Sequence, residues 1–298
     1  MPQPRVDVAA RTSNDLGECP VWLPRLGSLV WLDVRRRRLQ RLDPGTGALD
    51  CRSLDQVVTA VAPHRDDRLV AAVADGFGWV APTGGAVTAL ARVEDPSVAQ
   101  MNDGACDRDG RFWAGSASVR RDRRDGSLWR LDRDGTAHRV LRQVGMSNGL
   151  DWSPGGDRMY YVDTASGGVD VFDLDRQDGT LRGRRRLVDI PSRLGKPDGL
   201  TVDADGCLWL AIWGSGQVHR YDPDGGCDRV LWFPADRVTS CAFGGSALDV
   251  LFVTSARSGM TPRQLAAQPR AGDLFAVRLG VSGLPPVPFA GNVGGVAA

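Results

Sequence analysis

A chain of 298 residues with 42% hydrophobic and 24% charged side chains has the balance of a soluble globular protein able to bury a large core. A formal net charge of +1 provides no global field to draw it to nucleic acid or to an anionic membrane surface. No apolar run reaches the roughly 20 residues that a bilayer-spanning helix needs. The N-terminal stretch MPQPRVDVAARTS lacks the hydrophobic centre of a secretory signal. Six cysteines (19, 51, 106, 207, 227 and 241) form no C-x-x-C pair, which fits free thiols in a reducing compartment. The expectation is therefore a cytoplasmic protein, monomeric or weakly dimeric, acting on a small molecule. Lys196 is the single lysine, a skew that carries no binding signal.

In chain order, one pattern returns six times: an apolar strand, a tight polar turn and a second apolar strand. It reads VWLPRLGSLVWLD from Val21, VAPHRDDRLVAAVAD from Val61 and GACDRDGRFWAGS from Gly104. It returns as GLDWSPGGDRMYYVDT from Gly149, GLTVDADGCLWLAIWG from Gly199 and SCAFGGSALDVLFVTSA from Ser240. The turn residues Gly27, Asp67, Gly110, Gly156, Gly206 and Ala247 stand 40, 43, 46, 50 and 41 residues apart. A more polar hairpin follows each copy, such as RRLQRLDPGTG from Arg37 or GQVHRYDPDGG from Gly216. Two hairpins per repeat give four strands at a period of about 40–50 residues, the arithmetic of a propeller blade.

Long amphipathic helical patterns are absent, and alternation with Asp/Gly turns dominates. The expected fold is thus all-β: a six-bladed β-propeller of four-stranded antiparallel blades around a central metal-containing channel. It occupies residues 1–298 as a single domain. Val6–Ala10 is expected to close the ring by pairing with the last blade, because sheets avoid open edges.

In a propeller, the segment leading into each innermost strand faces the axis. The residue about eight before each turn is Asn102, Asn148 and Asp198 in blades three, four and five. In blade one, whose hairpin is one residue longer, it is Glu18, and in blades two and six it is Thr59 and Thr239. Asn-Gly and Asp-Gly usually start turns, but turn chemistry does not explain why these residues fall in register across repeats. Two carboxylates and two amide oxygens suit one hard divalent cation, calcium first, with magnesium, manganese or zinc as alternatives.

Several long stretches are similar to one known family: LGECPVWLPRLGSLVWLDV, MNDGACDRDGRFWAGS, SNGLDWSPGGDRMYYVDT, KPDGLTVDADGCLWLAIWG, VTSCAFGGSALDVLFVTSA and AGDLFAVRLGVSGLP. In these, nearly the whole chain resembles the senescence marker protein-30/gluconolactonase/luciferin-regenerating family. The resemblance implies a six-bladed propeller, a divalent metal on Glu18, Asn102, Asn148 and Asp198, and hydrolysis of sugar lactones and related cyclic esters. It also implies that Asp198 serves as both ligand and general base. The family's arginine two residues before the NDG asparagine is Gln100 here, and its acidic contact in the next loop falls near Arg120. Both changes point to a substrate other than plain gluconolactone, such as one carrying a carboxylate. Trp213, at a strand end nearer a channel mouth, is a further candidate for substrate contact.

Other motifs lead elsewhere. Gly145-Met-Ser-Asn-Gly149 matches a serine-nucleophile pattern but is followed by a strand and a turn rather than the required helix. Asp-x-Asp-Gly at Asp132, Asp203 and Asp222 lacks the later glutamate of a calcium loop. The arginine runs at residues 35–38 and 184–186 read as solvated surface. A metal-dependent lyase, cyclase or isomerase and a non-catalytic calcium-binding regulatory propeller remain the alternatives to a lactone hydrolase.

Overall fold

Six antiparallel four-stranded sheets follow one another along the chain, each the product of the paired hairpins seen in the sequence. The computed structural model describes residues 3–81, 83–120 and 122–291. The innermost strands are Gly17–Leu23, Val58–Pro63, Ala99–Cys106, Ser147–Trp152, Lys196–Val202 and Val238–Gly244, one per blade. Their neighbours around the ring are in contact with one another, so the sheets form a closed circle of six blades.

Ring closure follows the expected route. Val6–Ala10 pairs antiparallel with Leu274–Arg278 as the outermost strand of blade six, so the N-terminus completes the C-terminal sheet. Blade one and blade six are thereby fastened by backbone hydrogen bonds rather than by side-chain packing alone.

The alternation of apolar residues places large side chains between blades. Trp113 and Trp152 meet at 6.0 Å between blades three and four, and Phe77 and Phe112 at 5.9 Å between blades two and three. Trp209 and Phe243 lie 5.9 Å apart between blades five and six. Inter-blade burial of such rings is the main apolar contribution to stability, at about 25 cal/mol per Å² removed from water.

The Asp-x-Asp-Gly segments are hairpin turns. Asp203, fully buried, accepts hydrogen bonds from the Asp205 and Cys207 amides and from the Trp209 indole at 2.9 Å. Its oxygens are thus committed within the protein. All six cysteines are free. No helix of the described residues is long and apolar enough to cross a membrane. One short helix, Pro262–Ala267, lies in the connection between the second and third strands of blade six. A capping box starts it, formed by Thr261 and Gln264.

The C-terminal segment has no counterpart in the repeat. It leaves blade six, bonds Ala204 of blade five through the Ser282 carbonyl, and then reaches blades two and three. The Phe289 amide donates to the Pro63 carbonyl, and the Ala290 amide to the Gly110 carbonyl. Leu284, Pro285, Pro286 and Val287 consequently cross the end of the axis at which the inner hairpins turn.

Candidate metal centre

Every innermost strand is irregular at the same level. The antiparallel register shifts between Val58 and Ala60, Met101 and Asp103, Ser147 and Leu150, Pro197 and Leu200, and Val238 and Cys241. Thr59, Asn102, Asn148, Asp198 and Thr239 are therefore residues that a bulge releases from strict pairing. In blade one the shift falls between Glu18 and Val21, and Cys19 takes a left-handed φ of 48°. The expected ligand positions thus lie inside the innermost strands rather than in the segments leading into them. A bulge bends the strand and re-aims one side chain; Asn102, Asn148 and Asp198 lie within such irregularities, while Glu18 stays paired with Leu32 directly before one.

Asn-Gly and Asp-Gly serve here as packing elements, not turns. A Cβ on Gly149 would come within 2.5 Å of the Leu200 amide nitrogen and 2.7 Å of the Asp198 carbonyl oxygen. A Cβ on Gly199 would lie 2.3 Å from the Ser240 hydroxyl. Innermost strands of neighbouring blades converge so closely at these points that only glycine fits.

Side-chain bonds between blades fix the peptide just before three of the four candidate ligands. The Asn102 amide nitrogen donates to the Ser147 carbonyl at 2.7 Å. The Thr164 hydroxyl donates to the Pro197 carbonyl at 2.8 Å, and the Thr239 hydroxyl to the Gly17 carbonyl at 2.5 Å. Asn148 in turn donates its amide nitrogen to Thr164 Oγ1 at 3.0 Å. With both amide nitrogens engaged by protein acceptors, the Oδ1 atoms of Asn102 and Asn148 are the groups left for a ligand.

Asn148 and Asp198 are buried, while Glu18 and Asn102 are partly accessible. Burial raises the Asp198 carboxyl well above the ordinary carboxylate range. The charge of Asp103 adds to this, against hydrogen bonds from Asn148 and the Gly199 amide. Glu18 is raised likewise, first by burial and then by the charges of Asp198 and Asp103, against the Cys19 amide. Asp103 itself is pushed up to about 6 by burial, and among the described residues its side chain accepts one hydrogen bond, from the Gly104 amide at 2.7 Å. Three carboxyl groups thus share one poorly solvated space, and the charges acting on Glu18 and Asp198 are those of carboxylates. That imbalance is costly unless a cation offsets it.

Among the described residues there is no group of three or more His, Cys, Asp or Glu side chains in ligating position. The candidate set draws half of its donors from amides, so it falls outside such a group. Two carboxylates and two amide oxygens fit a hard divalent ion of the calcium or magnesium kind better than one preferring nitrogen or sulfur.

The expected substrate contacts are more scattered. Gln100 is exposed, and its amide nitrogen bonds back to the Pro96 carbonyl at 2.9 Å. Arg120 is exposed in the loop after Phe112–Ser118, where its carbonyl accepts from the Ser118 hydroxyl at 2.8 Å. Trp213 ends the second strand of blade five, half-buried, with the Arg237 guanidinium 5.3 Å from its ring centre. Sequence reasoning missed Asp103, because N-D-G was read as one ligand followed by a strand motif. The acid immediately after Asn102 was the available signal.

Known proteins share the sequence pattern and the fold of this chain. The family model described as SMP-30/Gluconolactonase/LRE-like region matches residues 16–257. A regucalcin of Danio rerio is 36% identical over 291 residues, covering 96% of this chain and 99% of that protein. A Bacillus subtilis protein, provisionally named a sugar lactone lactonase, is 35% identical over 286 residues, covering 95% of this chain and 98% of its own length. The crystal structure of a calcium-binding protein, regucalcin, from Agrobacterium tumefaciens superposes with a TM-score of 0.91 at 28% identity. It covers 96% of this chain and 97% of that one.

Proposed function

Because the chain belongs to the SMP-30/gluconolactonase/LRE-like family, we propose that it is a divalent-metal-dependent hydrolase of lactones, with its reaction at the bulge level of the axis. One observation carries the reading: Glu18, Asn102, Asn148 and Asp198 stand at the register shift of four innermost strands, and among the described residues no cationic side chain is bonded to the two carboxylates. These four residues would hold the ion, with calcium the first choice. A divalent ion there supplies a Lewis acid for a lactone carbonyl and lowers the pKa of a nearby water.

The protein's own groups account for the remaining steps. Asp198 would accept the proton of the attacking water while remaining one of the residues that hold the ion. Asn148 and the Gly199 amide, which favour the charged form of Asp198, would support it as the carboxylate that takes the proton. Opening the ring breaks the acyl C–O bond, the proton taken by Asp198 returns to the leaving oxygen to give the alcohol, and the new carboxylic acid releases its proton to solvent. Gln100 offers an amide rather than a cationic fork to substrate hydroxyls. With Arg120 in the neighbouring loop, the substrate is proposed to be a lactone bearing a carboxylate rather than plain gluconolactone.

A second reading rests on the relatives' names: a calcium-binding propeller without turnover. The test is a panel of lactones, including acid-bearing ones, assayed after chelation and after adding back calcium, manganese, magnesium or zinc, with products identified. Ring-opened hydroxy acids formed only with metal support the hydrolase. Tight metal binding with no turnover across the panel supports the second reading, and a rearranged or eliminated product would show a lyase or isomerase instead.

A further inference from the structure

Asp103 takes no part in the ligand quartet, yet it stands where the quartet meets the closed end of the channel. That end contains a cavity of about 130 Å³, lined by Cys19, Asp103, Thr201, Ser240 and Cys241 and crossed by the proline-bearing C-terminal segment. Most of these residues follow a ligand-level position by one to three places on an innermost strand, so the cavity lies directly beyond that level along the axis. The bulge in blade three releases Asn102, and Asp103 directly after it resumes pairing, opposite Gly115.

The other acid of this cavity, Asp151, is fully engaged. It accepts from Arg108 at 3.3 Å, from Thr201 at 3.2 Å and from the Val202 amide at 2.8 Å. Among the described residues Asp103 has nothing comparable, since its one side-chain bond is to the amide of the next residue. An acid kept half-buried beside two other carboxylates, with no arginine or lysine among the described residues bonded to it, is a liability unless positive charge resides within its reach.

We infer that Asp103 is an auxiliary carboxylate for the bound cation, acting from the closed end of the channel through space and through ordered water rather than as a direct ligand. The inference rests on the metal-centre reading and adds a fifth residue to it. In the metal-free protein Asp103 opposes Glu18 and Asp198, and with a divalent ion in place the same charge becomes attractive. Its effects on the two states therefore have opposite signs, which a residue that merely supports the strand cannot reproduce.

The test is calcium titration by calorimetry, with thermal melting in chelator and in excess calcium, on the wild-type chain, Asp103→Asn and Asp103→Ser. Loss of an outer carboxylate is expected to weaken calcium binding about 10-fold or more. In chelator both variants are expected to melt at or above the wild-type temperature, and calcium should raise their melting points less. If the variants bind calcium like the wild type, or melt lower in chelator with an undiminished calcium increment, Asp103 is structural and the inference fails. If the wild-type chain neither binds nor is stabilised by calcium, magnesium or manganese, the metal-centre reading fails first and the inference with it.

Discussion

Blades three to five and blades two and six meet the axis with the same backbone and different chemistry. In all five the innermost strand carries a bulge at one level. Blades three, four and five place Asn102, Asn148 and Asp198 there, the residues proposed to hold the ion. Blades two and six place threonines whose hydroxyls are turned into the protein. Thr59 bonds weakly to the Ala72 carbonyl at 3.4 Å, and Thr239 bonds the Gly17 carbonyl and Thr254. The repeat thus supplies a position, and the residue type decides whether that position carries an amide or carboxylate oxygen or a bracing hydroxyl. Thr239 braces the strand that delivers Glu18, much as Thr164 braces the strand that delivers Asp198.

The sharpest way to break this comparison is to remove the one residue proposed to act twice. Asp198→Asn keeps the shape but removes the negative charge and the base. It should lower kcat/KM for lactone hydrolysis by about 10³-fold and weaken calcium binding, while leaving the chelated protein no less stable. Steady-state assays with calorimetry check it, and an active Asp198→Asn enzyme would remove the residue from the mechanism.

A smaller effect is expected from bracing alone. Thr164→Val removes the acceptor for the Asn148 amide and the donor to the Pro197 carbonyl, while keeping the side-chain volume close. Divalent affinity should fall about 10-fold, with KM little changed. Calcium titration checks this, and affinity equal to wild type would mean that Asn148 is oriented by other contacts.

Within the threonine pair the comparison can be sharpened. Thr239→Val should cost about 1–2 kcal/mol in a chemical melt, because it strands buried partners, yet leave calcium affinity within a few-fold. Thr59→Val, which loses only a long bond, should cost less than about 0.5 kcal/mol. Equal costs would show that the two positions are not distinguished by their hydrogen bonds.

Farthest from the axis level, the smallest effect concerns His219 in the third strand of blade five. Burial lowers its pKa below the ordinary 6.5, and its ring contacts Gln217 at 2.6 Å and Tyr221 at 2.9 Å. The unfolded chain therefore takes up the proton first, so the His219 contribution to stability is present above pH 6.5 and is lost as pH falls below it. Urea melts from pH 7.5 to 5.5 on wild type and His219→Gln check the sign. A histidine-dependent gain in stability at the acid end would contradict it.

Much of the fold was legible because a blade is a local object. Hairpins such as GLTVDADGCLWLAIWG carry their own turn and their own alternation, and six of them in register leave little choice of architecture. Closure by Val6–Ala10 was legible for the same reason, since an orphan strand and an open edge call for each other. The short helix Pro262–Ala267 escaped notice, although Thr261 and Gln264 carry its cap, because six residues give too little periodicity to stand out.

At the axis the balance shifts. The chain alone determined which residues share a level, because equal distance from each turn is a property of the repeat. It could not tell that Asn102, Asn148 and Asp198 sit in bulges within strands, since a bulge exists only relative to a partner strand. Nor could it give the company of Asp103, or the passage of Leu284, Pro285, Pro286 and Val287 across the channel end. Those are set by ring closure, which brings residues 18, 103 and 198 into one poorly solvated space. Charge repulsion and desolvation act through that space, not along the chain.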